Sequence, residues 1–149
     1  MIIAIATDHR GVLLKDKIIA QLRSKRIKIK DFGAFTEDPV DYPIFAFKVA
    51  ECVGRKQARF GILLCHTGNG MAIAANKVPG VRAAICPDKV FAYLARRHND
   101  ANILVVPAGF VKASSVSKII ETFLKTGFEG GRHRRRINQI RKYEKSHAG

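Results

Sequence analysis

The segment Cys65-His66-Thr67-Gly68-Asn69-Gly70 carries the strongest chemical signal in the chain. It leaves a wholly apolar run, FGILLC, and opens a segment of helical period. Its two glycines let the backbone turn so that successive N–H groups face one concavity, with a helix N-terminus behind. Such a nest holds a phosphate or a developing oxyanion. Cys65 stands at its mouth, where a helix dipole and nearby cations are expected to lower the thiol from its free value of roughly 8.5 and make it a base or nucleophile. The plainer reading is that Cys65 only ends a buried strand, since free cysteines are usually packing residues.

Three chemistries use a loop of this kind. A dinucleotide turn needs GxGxxG, but Ile73 stands where the third glycine belongs, and no acidic residue after the second strand is suitably placed for a ribose. A small cysteine-dependent phosphatase needs an arginine six residues after the cysteine, and that position is Met71. The third is proton transfer beside a sugar carbonyl, in which a base removes a C–H proton while the nest stabilises the enediolate. Further candidates are Asp8, His9, His98, Asn99, Asp100 and the run Gly130 to Arg136. Each has a bland alternative: a helix cap for His9, a surface position for His98, a solvated helix end for the arginines.

These groups need elements to position them, and strand-length apolar runs alternate with helix-period segments along the whole chain. Strands are expected at Ile2 to Thr7, Ile27 to Phe32, Phe60 to Cys65, Val81 to Cys86 and Ile103 to Val106. Helices are expected from Val12 to Leu22, Ile44 to Val53, Met71 to Asn76, Pro87 to Arg97 and Ser114 to Lys125. Strands without polar alternation belong to a parallel sheet covered on both faces. Right-handed crossovers make this a doubly wound, three-layer αβα sandwich of the Rossmann or flavodoxin-like kind, with expected strand order 2-1-3-4-5. The order then reverses between the first and third strands, and Asp8-His9 and Cys65 to Gly70 are the exits there.

A chain of 149 residues with 47% apolar content fits one domain, 1–149, and excludes intrinsic disorder. The longest apolar runs are far short of the roughly 20 residues that cross a bilayer. Three cysteines, an odd number, with no CxxC and no signal-peptide pattern at MIIAIATDH, point to the cytoplasm. The formal charge of +15 directs attention to an anionic ligand. From 132 to 145 seven Lys or Arg accompany Ile137, Ile140 and Tyr143 at roughly helical spacing, so a basic helix is expected to dock on a second subunit. No nucleic-acid-reading module or aromatic stacking platform accompanies the charge, which reads as a steering field.

Seven motifs in order resemble the type B ribose-5-phosphate isomerases, the family shared with galactose-6-phosphate and allose-6-phosphate isomerases. They are Asp8-His9, Asp41-Tyr42-Pro43, Cys65 to Gly70, Ala74 to Lys77, Arg82-Ala83, His98 to Asn102 and Glu129 to His133, spanning residues 1 to about 140. The resemblance implies interconversion of ribose 5-phosphate and ribulose 5-phosphate in the pentose phosphate pathway, through a cis-enediolate, without metal or cofactor. It also implies a homodimer or pair of dimers, with each site built by both subunits. By the same resemblance Cys65 is the base and Thr67, Gly68, Asn69 and Gly70 form the anion hole. His98 opens the ring, Asp8 and Asn99 bind hydroxyls, Tyr42 lines the pocket, and His9, Arg132 and Arg136 clamp the phosphate. Members without the cysteine use a glutamate at the position that is Met71 here, so the cysteine arrangement is the one present.

Two positions depart from the pattern. His66 replaces a glycine, putting a titratable ring beside the substrate-binding nest, and Gly109 replaces an arginine that helps bind phosphate. The alternatives these departures leave open are a related allose-6-phosphate or galactose-6-phosphate isomerase, or a weakened relative serving as a basic anion- or nucleic-acid-binding module.

Overall fold

The apolar runs pair as parallel strands because the central ones can bury both of their faces only between two layers of helices, whereas the run expected at Ile27 to Phe32 does alternate, with Lys28 and Lys30 exposed. In the computed structural model, which describes residues 1–148, the order is β1 (Ile2–Thr7), α1 (Val12–Ser24), β2 (Lys28–Asp31), α2 (Tyr42–Gly54), β3 (Phe60–Cys65), α3 (Asn69–Ala75), β4 (Ala83–Ile85), α4 (Lys89–Asn99), β5 (Ile103–Pro107), α5 (Ala113–Lys125) and α6 (Gly131–Ser146). Gly149, the last residue of the expected domain, lies outside the described residues. Successive strand side chains point to opposite faces. Ile3, Ile5, Ile62, Leu64 and Leu104 meet α1, α4 and α5, while Ala4, Ala6, Leu63, Ile103 and Val105 meet α2 and α3.

The sheet order is β2-β1-β3-β5-β4, which corrects the expected 2-1-3-4-5 at its far end. β5 lies between β3 and β4 because the central place demands residues apolar on both sides, and Ile103 to Val106 are completely buried. β4 has only three residues, all half-buried, which suits an edge. The reversal between β1 and β3 stands as expected, so the crevice at their carboxyl ends is still the place for a ligand.

The helical stripe of α1 contains one surprise. Lys15 is fully buried, and its Nζ donates to Asp31 Oδ1 and Oδ2 at 2.8 and 2.7 Å. Asp31, the acidic residue that does end β2, also accepts the Gly33 N–H at 2.9 Å and so ties α1 to the loop after β2. Asp31→Ala leaves that buried ammonium only the exposed Asp16 carboxylate, 3.9 Å away, and is expected to cost about 3 kcal/mol in urea unfolding. Adding Lys15→Met should recover most of the loss, because removing both charges removes the uncompensated one.

Direction along the sheet decides the rest. Because the strands are parallel, α4 runs back from the carboxyl edge, where Asp88 caps it by accepting from the Val90 and Phe91 N–H groups at 2.7 and 3.0 Å. It ends at the amino edge on Asp100, whose carboxylate is held by Arg96 at 3.0 Å and Arg82 at 3.1 Å. His98 and Asn99 are therefore delivered to the amino edge of the sheet.

Candidate active site at the sheet's switch point

Asp8 leaves β1 and caps the single turn of 3-10 helix that follows, its side chain accepting the Arg10 N–H at 2.9 Å. The cap is therefore Asp8 rather than His9, whose Nδ1 is buried without a partner. Cys65 ends β3 next to Asp8, half-buried. Burial pushes its thiol up, the backbone N–H of Gly68 pulls the other way, and the Asp8 carboxylate adds to the rise. The expected lowering by helix and cations is thus corrected: the charge that acts on the free thiol is negative.

Beyond Cys65 the chain turns through Gly68, whose φ of +83° is a left-handed conformation that a glycine adopts without strain. Thr67 Oγ1 accepts the Asn69 N–H at 3.2 Å, and the Ala72 N–H donates to Gly68 O at 2.9 Å. The helix thus starts at Asn69, two residues before the expected Met71, with Gly68 as its N-cap and Asn69 and Gly70 in its first turn. Tyr42, at the start of α2, lies over Gly70, where a Cβ would come within 2.8 Å of its hydroxyl oxygen. Asp8, Cys65, Thr67 to Gly70 and Tyr42 therefore converge at the switch point. A cleft beside them is lined by Asp8, Arg10, Cys65, His66 and Gly109. Arg10 has no role assigned from sequence, although it directly follows Asp8-His9 in the polar turn that leaves β1 at the switch point.

The remaining site residues lie elsewhere in the chain. The His98 ring stacks on His133 with centroids 4.3 Å apart and planes 10° from parallel. Its Nε2 is 3.9 Å from Glu129 Oε2, which also pairs with Arg97 Nε at 3.0 Å. His133 is buried, its Nε2 has no partner, and burial together with His98 and Arg132 pushes it down. Arg132 and Arg136 project from α6 one turn apart and exposed, while His133 and Ile137 are its buried residues. Among the described residues, His98, Glu129 and His133 form a group whose ligand atoms lie within 4.8 Å of one another. Stacked rings point their in-plane lone pairs in parallel directions, so this arrangement suits mutual positioning better than convergence on one ion.

Asn102, three residues past Asn99, accepts the Gly61 N–H at the amino end of β3, whereas Cys65 pairs with Pro107 at the other end. Four residues of strand, about 13 Å, separate the Asn102 contact at Gly61 from Cys65. One chain does not bring His98, Asn99, Arg132 and Arg136 to Cys65.

A half-buried thiol beside a glycine-rich helix start, at the switch point of a parallel sheet, defines an α/β protein whose ligand crevice lies at the carboxyl ends of β1 and β3. The profile of the Ribose/Galactose Isomerase family matches residues 3–140, and the chain belongs to that family. It is 46% identical over 145 residues to a probable ribose-5-phosphate isomerase B of Mycoplasma genitalium, covering 96% of this chain and 95% of the relative. It is 38% identical to the ribose-5-phosphate isomerase B of Escherichia coli, covering 93% of each. The structure of the Clostridium thermocellum ribose-5-phosphate isomerase B superposes with a TM-score of 0.95 at 44% identity, covering 98% of this chain and 99% of that one. That of the Mycoplasma genitalium enzyme with bound ribulose 5-phosphate gives 0.93 at 46%, covering 97% and 96%. No helix among the described residues is long and apolar enough to cross a membrane.

Proposed function

We propose that the protein interconverts ribose 5-phosphate and ribulose 5-phosphate in the cytoplasm, without metal or cofactor, in sites shared by two copies of a single-domain chain. The observation that carries this reading is Cys65 and Asp8 set against the glycine nest at the switch point. The Cys65 thiolate takes the proton from C2 of the open aldose. The resulting negative charge lies on the oxygen of a cis-enediolate, held by the loop N–H groups from Thr67 to Gly70. The thiol then returns the proton to C1, while the hydroxyl proton passes from O2 to O1, giving the ketose. Asp8 and Asn99 hold sugar hydroxyls, Tyr42 closes one wall, and His9 with Arg132 and Arg136 grips the phosphate.

The separation of the two groups within one chain supports a shared site, with the α4 and α6 residues coming from the second subunit. Ile140 and Tyr143, 49% and 66% exposed on α6, continue the stripe begun by buried Ile137 and suit docking on a partner. The arriving guanidinium groups also supply the cations that the free thiol lacks. The direct test is turnover of ribose 5-phosphate with a chelator present, alongside allose 6-phosphate and galactose 6-phosphate. Turnover of the five-carbon sugar supports the reading, and no turnover of any of the three overturns it.

His98 has its own test, because an aldotetrose 4-phosphate, with its O4 esterified, has no furanose ring to open. His98→Asn is expected to lower kcat/KM on ribose 5-phosphate by about 10²-fold or more and on the tetrose phosphate by much less. Equal losses on the two substrates would remove the ring-opening role.

A further inference from the structure

We propose that His66 and Gly109 act as one unit, and that the His66 ring sets the length of sugar phosphate the site accepts. This rests on the isomerase reading and deepens it to substrate class. The exits of β3 and β5 stay paired beyond their strands: the Ala108 N–H donates to Cys65 O at 2.8 Å and the Gly109 N–H to His66 O at 3.0 Å. Backbones held side by side in this way make side chains at 66 and 109 compete for one volume.

The His66 ring has taken that volume. A Cβ at Gly109 would overlap Nδ1 and Cε1 and come within 3.0 Å of Cγ. Phe110 supports the ring further out, with centroids 5.3 Å apart and planes inclined at 55°. Gly109 has no left-handed φ, so glycine stands there to admit the ring and not to satisfy the backbone. The two positions that read separately in the sequence thus share one volume, which the ring from the β3 exit fills.

His66 adjoins Cys65 and lines the same cleft as Asp8 and Arg10, so its ring is a wall next to the reacting centre. A planar ring braced by Phe110 closes the cleft on the β5 side and favours the shorter sugar. Its free nitrogen offers a hydrogen bond to whichever polar end of the substrate reaches it. Removing the ring opens space for an additional carbon, a change worth about tenfold in discrimination.

The experiment compares wild type, His66→Gly, Gly109→Ala and the double variant for kcat/KM on ribose 5-phosphate and allose 6-phosphate. His66→Gly is expected to shift the ratio about tenfold toward the six-carbon sugar. Gly109→Ala should shift it the same way with His66 still present, because the new methyl group evicts the ring. In the His66→Gly background Gly109→Ala should then do nothing further, giving a strongly non-additive cycle. An unchanged ratio in His66→Gly, or additive effects in the double variant, overturns the proposal.

Two readouts stand apart from turnover. The chain has five histidines, so its imidazole Cε1–H proton spectrum is simple, and the His66 signal is the one lost in His66→Gly. In Gly109→Ala that signal should move as the ring leaves Phe110, and a spectrum without that movement overturns the coupling. Calorimetric binding of the two sugar phosphates to the Cys65→Ala protein measures selectivity even if wild type turns over neither. Lack of turnover overturns the isomerase reading, whereas a selectivity unaffected by the ring overturns this inference alone.

Discussion

Replacing Cys65 with alanine lowers isomerisation of ribose 5-phosphate by about 10²–10⁴-fold, the range a positioned general base contributes. Far-ultraviolet circular dichroism and size should be unchanged, since Cys65 is a half-buried strand end and not a core residue. The sign of the pH dependence follows from its surroundings. On the proposed role the thiolate is the active form, and burial with Asp8 favours the neutral thiol, so kcat/KM is expected to rise with pH. Within one chain, burial and Asp8 place that rise on the alkaline side of the thiol's ordinary range. Asp8→Asn removes the negative neighbour and moves the limb to lower pH, even as loss of a hydroxyl partner weakens the reaction. An active Cys65→Ala enzyme, or a limb that moves to higher pH in Asp8→Asn, contradicts the assignment.

That the thiol is raised, when the sequence pointed to a lowered one, has a definite cause. A cysteine before a glycine-rich helix start is legible in one dimension, and so are its pull from the Gly68 N–H and its strand-end position. Asp8 is legible as the other exit at the same switch point, but that its carboxylate opposes ionisation of the thiol follows only from the close pairing of β1 with β3. The same limit governs the other differences. Apolar runs showed five parallel strands, but β5 displaced β4 from the third strand's side because completeness of burial and not chain order selects a central place. Lys15 sits on the apolar stripe of α1 like an interloper until Asp31, sixteen residues later, is brought against it. His66 and Gly109 read as two separate departures, and only the continued pairing of their strand exits makes them one.

Mixing two inactive variants restores activity if the site is shared, and this result discriminates more sharply than any single substitution. Cys65→Ala and His98→Asn homodimers each carry two defective sites. When subunits exchange, a hybrid dimer combines the intact Cys65 of one chain with the intact His98 of the other in one site, and both defects fall in the second. Random exchange at equal amounts makes half the dimers hybrids, so about a quarter of all sites recover. Were each site built within one chain, the hybrid would have no intact site and nothing would be regained. The geometry favours recovery, because His98 and Cys65 occupy opposite edges of the sheet and no hinge in the β5 strand joins them. The chain also offers faces for such a partner: Val90, Phe91 and Leu94 on α4 are 55%, 55% and 38% exposed, more apolar side chain than one helix of a solitary subunit normally leaves to water. Hybrids confirmed by native mass spectrometry but lacking activity would place the whole reaction in one subunit and remove α4 and α6 from it.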